Sequence, residues 1–127
     1  MKARITALSF LTAVLISCQT SFGDKYTIEQ LDIYYTDTLA EKYVVATGEY
    51  FQDHGLIQAE RHSVQLATDD SGFVLRMILK EGLTQFPGDK MASLLFLENE
   101  MKRTIFDGQD FRIEPTDEFF VRINPAD

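Results

Sequence analysis

Cysteine occurs once in the 127 residues, at Cys18, and tryptophan does not occur at all. A single cysteine excludes an intrachain disulfide framework, a Cys-x-x-Cys redox pair and a cysteine-built zinc site. Histidine is scarce, with only His54 and His62. Basic residues are outnumbered, 12 against 20 acidic, for a formal net charge of -8. A chain this acidic is repelled by nucleic acid and by anionic headgroups, so no nucleic-acid partner is expected. Glycine-rich phosphate loops and Gly-x-Ser-x-Gly elbows are missing, and no serine has an obvious histidine partner. The apolar stretch from Ile5 to Ile16 would rise about 18 Å as a helix, against about 30 Å of hydrocarbon core. It is too short to span a membrane comfortably.

That stretch has another use. Lys2 and Arg4 precede it, and small hydroxyl residues alone interrupt it, which is the shape of a signal peptide over residues 1–17. The four residues Leu15-Ile16-Ser17-Cys18 resemble the bacterial lipoprotein signal, in which a small residue admits the peptidase and the following cysteine carries a diacylglycerol. Two or three acyl chains, at about 0.8 kcal/mol per buried methylene, anchor stably where one is marginal. The expected partner of Cys18 is therefore the membrane, through its lipid. Ordinary secretion with cleavage after Gly23, in Ser21-Phe22-Gly23, is the alternative. The expected address is export to the bacterial cell envelope, on the outer membrane or periplasmic face in a Gram-negative cell, since Gln19 rather than aspartate follows the cysteine. Processing before Cys18 leaves 110 residues and a net charge of -10, because Lys2 and Arg4 go and every acid stays.

Residues 18–30 are polar and aperiodic and read as a lipidated tether; 31–127 read as a single domain. Leu31, Ile33 and Tyr35 alternate as in a strand, and Thr38-Leu39-Ala40-Glu41 has capping-box spacing. Leu39, Tyr43, Val44, Thr47, Tyr50 and Phe51 then share one helical face, with Gly55 at its stop. His62–Thr68 and Phe73–Lys80 alternate around Asp69-Asp70-Ser71-Gly72, a hairpin. After Pro87, the residues Met91, Leu94, Leu95, Met101 and Ile105 predict a second helix ending near Gly108. Phe111–Ile113 and Phe119–Asn124 predict a second hairpin around Pro115-Thr116-Asp117-Glu118, with Ile113, Val121 and Ile123 inward. The expected fold is an α+β two-layer sandwich in the order β-α-β-β-α-β-β, an antiparallel sheet with both helices on one face. A helix ending in phenylalanine, then glycine and a hairpin, recurs at Phe51/Gly55 and Phe106/Gly108, which suggests a diverged repeat.

From Ile33 onward, Tyr34-Tyr35-Thr36, Gly48, Gly55, Ser63-Val64-Gln65-Leu66, Val74-Leu75-Arg76-Met77, Glu81-Gly82 and Ile105-Phe106-Asp107-Gly108 resemble, over about 90 residues, a family of small uncharacterised bacterial exported proteins. The resemblance implies one domain and carries no activity.

For chemistry, His54 and His62 with Asp53 and Glu60 invite a metal reading, but a zinc site needs three or four ligands in defined geometry. Asp69-Asp70-Ser71-Gly72 lacks the ligand spread of a calcium loop and is explained as a turn. No metal, no cofactor and no catalytic residue is expected, and an enzyme is the minor alternative. If the strands pair as expected, Tyr34, Arg76, Arg112, Phe120 and Arg122 turn away from the helices and form a candidate interaction face. The expected function is thus a lipid-anchored envelope module that binds an envelope protein partner or a ligand; an unlipidated secreted binding module is the further alternative. The sequence does not set the oligomeric state.

Overall fold

The structure is a computed structural model, and it describes residues 22–36, 39–80, 83 and 85–123. Five strands form one sheet in chain order: β1 (Asp24–Ile28), β2 (Leu31–Tyr35), β3 (His62–Asp69), β4 (Gly72–Ile78) and β5 (Phe111–Thr116). Helix α1 (Glu41–Asp53) joins β2 to β3, and a short 3-10 turn (Gly88–Lys90) leads into α2 (Met91–Thr104), which joins β4 to β5.

The α+β architecture and the two helices match the sequence reading; the sheet is mixed rather than antiparallel. β1–β2 and β3–β4 are antiparallel pairs, while β2–β3 and β4–β5 are parallel. The reason is the connections. A helix returns the chain to the end where it started, so the strand after it runs parallel to the strand before it. The unit that recurs is therefore strand-helix-strand, not helix-hairpin.

Two further expectations fail at the chain's ends. The stretch read as tether up to Gln30 contains β1, which pairs with β2 from Asp24↔Tyr35 to Ile28↔Leu31. Its alternation is real, because Tyr26 and Ile28 point into the core and pack over α1 at Gly48, where a Cβ would lie 2.8 Å from Tyr26 Cε2. The predicted last strand, Phe119–Asn124, is reduced to a bridge between Thr116 and Arg122; Asn124 lies outside the described residues. Pro115 and Thr116 belong to β5 instead of to a turn. Asp117 Oδ1 accepts the amides of Phe119 at 2.8 Å and Val121 at 3.0 Å, and this curls the chain before a ladder can form. Val121 consequently points out, not in, at 58 % exposure. The capping box also changes: Thr38 lies outside the described residues, and Ala40 occupies the N-cap of α1 without a side-chain bond.

On the inner face the register places Ile33 beside Val64, Leu66 beside Leu75 and Phe73 beside Phe111. Both helices cover this face. Val44 and Phe51 enter from α1, and Met101, Ile105 and Phe106 from the end of α2. Phe106 is fully buried, 4.5 Å from the Phe73 ring, 4.6 Å from Phe111 and 5.5 Å from Tyr43, centroid to centroid. Aromatic contacts of this kind add about 0.5–1.5 kcal/mol each beyond the area they bury.

Phe106→Ala should cost about 3–5 kcal/mol in urea unfolding, a large part of the roughly 5–15 kcal/mol that holds a domain of this size. A loss below about 1 kcal/mol would mean that Phe106 is not a keystone of the packing.

Candidate ligand cleft

The apolar stripe of α2 does two different things along its length. Its last turn is sunk in the core through Met101, whereas Met91, Leu95 and Phe96 are 44 %, 54 % and 68 % exposed. Met91 and Leu95, two of the apolar residues whose spacing predicts this helix, thus face solvent. Lys90, Ser93, Leu94 and Leu97 lie at i, i+3, i+4 and i+7, one face of the helix, and look into a cleft of about 590 Å³ between the two helices. Met77 of β4 lines it from the sheet, with Phe86 and Pro87 from the loop before α2.

The opposite wall is the end of α1. Gly55, at φ +65, turns the chain out of the helix. The Leu56 amide then reaches back to the Phe51 carbonyl at 2.8 Å, and the Gly55 amide to Gln52 at 3.3 Å. This is the paired closure of a Schellman stop, and it sets Leu56 beside Phe51 on the cleft wall. His54 lies flat against Tyr50, ring centroids 3.9 Å apart, and its Nδ1 lies 2.9 Å from the Tyr50 carbonyl oxygen. Because a carbonyl only accepts, Nδ1 is the donor in this contact. Burial pushes the Tyr50 phenol up, with Glu100 adding and Arg103 opposing, so Tyr50 stays neutral.

The lining is mostly apolar, and its charge is unlike that of the whole chain. Among the described residues no aspartate or glutamate lines the cleft, in a chain of net charge -8, and Lys90 is its one full positive charge. An apolar slot of this size with few polar groups at its rim is the form of a small-molecule site, which typically spans about 300–1,000 Å³. The sequence showed half of this. Leu94 was legible as apolar on a helical face, but periodicity cannot distinguish a stripe resting on a sheet from one that overhangs a gap.

The face expected from the sequence lies on the other side of the sheet. Tyr34, Gln65, Arg76 and Glu114 form a cross-strand row there. Arg76 donates to Gln65 Oε1 at 2.8 Å, and its Nε lies 3.7 Å from Glu114. Arg112 lies 3.3 Å and Arg122 4.0 Å from Glu114 Oε2. Three arginines thus converge on one nearly buried carboxylate. Phe120 is 7 % exposed, and its ring sits 6.0 Å from Tyr34 and 5.2 Å from Phe22. The structure brings Tyr34, Arg76, Arg112, Phe120 and Arg122 together on this face, but the chain's own segments at Phe22 and Phe120 fill much of it. Phe22 was not legible as a packed residue, because the stretch around it has no periodicity.

The histidines do not converge on a metal. His62 Nδ1 lies 2.9 Å from the Glu60 carbonyl oxygen, its Nε2 is buried without a partner, and no group of three potential ligands occurs among the described residues. Cys18 lies outside the described residues. Comparison with protein-family models, with curated proteins and with solved structures gives no match for this chain.

At the β3–β4 turn the Asp69 carboxylate accepts from Ser71 N at 2.8 Å and pairs with Arg112 at 2.5 Å. The Arg112 hydrogen bond, then the Ser71 amide, hold the Asp69 carboxyl well below the usual carboxylate range. A depressed folded-state pKa stabilises above the unfolded value of about 3.9, and that contribution fades as pH falls through the folded value. Asp69→Asn should therefore melt below the wild type at about pH 5, with the gap closing toward about pH 2. A gap independent of pH would contradict the ionic origin; thermal melts across that range decide it.

Proposed function

We propose that the chain is an exported, lipid-anchored α+β module that holds one amphiphile, its apolar chain in the cleft between α1 and α2 and its anionic head beside Lys90. The carrying observation is the cleft: about 590 Å³, lined by Tyr50, Phe51, Leu56, Met77, Leu94 and Leu97, with Lys90 as the only full charge among the described residues that line it. Charge selects the head, since an acidic ligand meets no carboxylate on the lining. The exposed Leu95 and Phe96 on α2 favour a second reading, in which an apolar helix of an envelope protein partner lies along the same helical face.

Export and anchoring rest on Lys2, Arg4, the run Ile5–Ile16 and the Leu15-Ile16-Ser17-Cys18 signal. Packing adds support. Cleavage after Gly23 would discard Phe22, whose ring contacts Tyr34 and Phe120 and whose carbonyl accepts from Gln65 Nε2 at 3.0 Å. Cleavage before Cys18 keeps all of these contacts.

Titration calorimetry with dodecanoate tests the reading. Decanoate should bind roughly tenfold more weakly, since two fewer buried methylenes lose about 1.6 kcal/mol. Lys90→Glu should weaken dodecanoate while leaving dodecanol unchanged, and Leu94→Arg should abolish both with the circular dichroism spectrum intact. Dodecanoate binding that survives Leu94→Arg would place the ligand elsewhere, and absence of binding by the wild type would favour the protein-partner reading.

A further inference from the structure

The helix-free side of the sheet carries two apolar residues with nowhere to go. Within the curl that follows β5, Phe120 takes φ +61 and is buried, while Phe119 and Val121 on either side are 60 % and 58 % exposed. A non-glycine residue in the left-handed region is strained, so it persists only where its surroundings hold it. Here they do. Asp117 Oδ1 accepts both the Phe119 and the Val121 amides, the Asp117 amide donates to the Val121 carbonyl at 3.0 Å, and Phe120 N donates to Asp117 O at 3.1 Å. The result is a stiff loop that turns one aromatic ring inward and sets a phenylalanine and a valine outward.

The inward ring rests on Phe22, 5.2 Å away and edge to face. Phe22 is four residues from Cys18, and four residues reach at most about 14 Å. If Cys18 carries acyl chains in a bilayer, this corner of the domain is held within that distance of the headgroups. On that reading the tether before Phe22 is four residues, not the whole of 18–30. We infer that Phe119 and Val121 rest in the headgroup region of an uncharged, zwitterionic bilayer surface, a second contact beside the lipid on Cys18. The inference relies on the lipid-anchor part of the proposed function. Because the lipid already holds the domain at the surface, this weak second contact forms at high effective concentration. The net charge of -10 that processing before Cys18 leaves favours zwitterionic over anionic lipid. The sheet separates this corner from the helices, so the cleft opens on the other side of the layer.

The absence of tryptophan makes a direct test possible. Phe119→Trp and, on the outer face of α2, Leu95→Trp each place a single reporter at an exposed position. The full chain, processed in a bacterial host and purified with its lipid, is reconstituted in phosphatidylcholine vesicles with brominated acyl chains, and the intact mass is measured on the same sample. With the diacylglycerol on Cys18 confirmed, the bromines should quench Phe119→Trp at least about twofold more than Leu95→Trp, as expected for a ring at the interface. Val121→Glu added to Phe119→Trp should remove most of that difference. Equal quenching on a confirmed lipoprotein overturns the membrane contact and leaves the anchor standing; stronger quenching of Leu95→Trp overturns it by turning the helices to the bilayer. A mass showing unmodified Cys18 overturns the anchor and the inference together.

Discussion

The second helix is held to the sheet by its last turn, and the rest of the molecule's character follows from that. Phe106 sits among Phe73, Phe111 and Tyr43, with Met101 and Ile105 beside it. Each of these groups comes from a different part of the chain: Tyr43 from α1, Phe73 from β4, Phe111 from β5. One buried ring therefore fixes two helices and two strands against one another. Because interiors are close-packed, a shift of that ring cannot be absorbed by its neighbours. Earlier in α2, Leu97 packs against the core and Glu98 accepts the Ile113 amide of β5 at 2.9 Å. The cleft lies between the first half of α2 and the end of α1, with Met77 lining it from the sheet.

One wall of the cleft is shared with the core and the other is not. Tyr50 and Phe51 line the cleft and are buried core residues, whereas Lys90, Ser93 and Phe96 on the opposite wall are exposed. Substitutions on the α2 wall can therefore change the site with less effect on the core than substitutions at Tyr50 or Phe51. The opposite face of the sheet is organised by charge. Glu114 gathers Arg76, Arg112 and Arg122, and Asp69 holds Arg112 from the far side. Only Glu114 is nearly buried in this network, so its arginines, partly exposed, add modest net stability while pinning the carboxylate between them. It fixes the path of the C-terminal segment over Tyr34 and Phe22.

The sequence made the elements legible wherever one face is buried and the other is wet. Val64 and Leu66 opposite Leu75 and Met77 alternate cleanly, and the structure pairs Val64 with Met77 and Leu66 with Leu75 as that pattern requires. Gly55 and Gly108 mark helix stops and have the positive φ such stops need. Strand direction was not legible in the same way, since alternation says which side a residue faces and nothing about which way the chain runs. β1 was missed because Tyr26 and Ile28 are only two apolar residues in a polar stretch. Their burial depends on Gly48, 20 or more residues on. Tyr34 and Arg76 lie in the cross-strand row on the side of the sheet away from the helices, but the occupation of that face by Phe22 and Phe120 depends on tertiary contacts that no local pattern encodes. The cleft was invisible for a related reason: an apolar helical stripe has the same spacing over a core and over a gap.

The central claim is that the space between α1 and α2 is a ligand site. Mapping methyl and amide chemical shifts by NMR while dodecanoate is added tests it most directly. The account predicts saturable shifts at Met77, Leu94, Leu97 and Leu56, with the cross-strand row of Tyr34, Gln65 and Arg76 unmoved. Shifts confined to that row or to the Phe119–Val121 loop, or no saturable shifts at all, would contradict it.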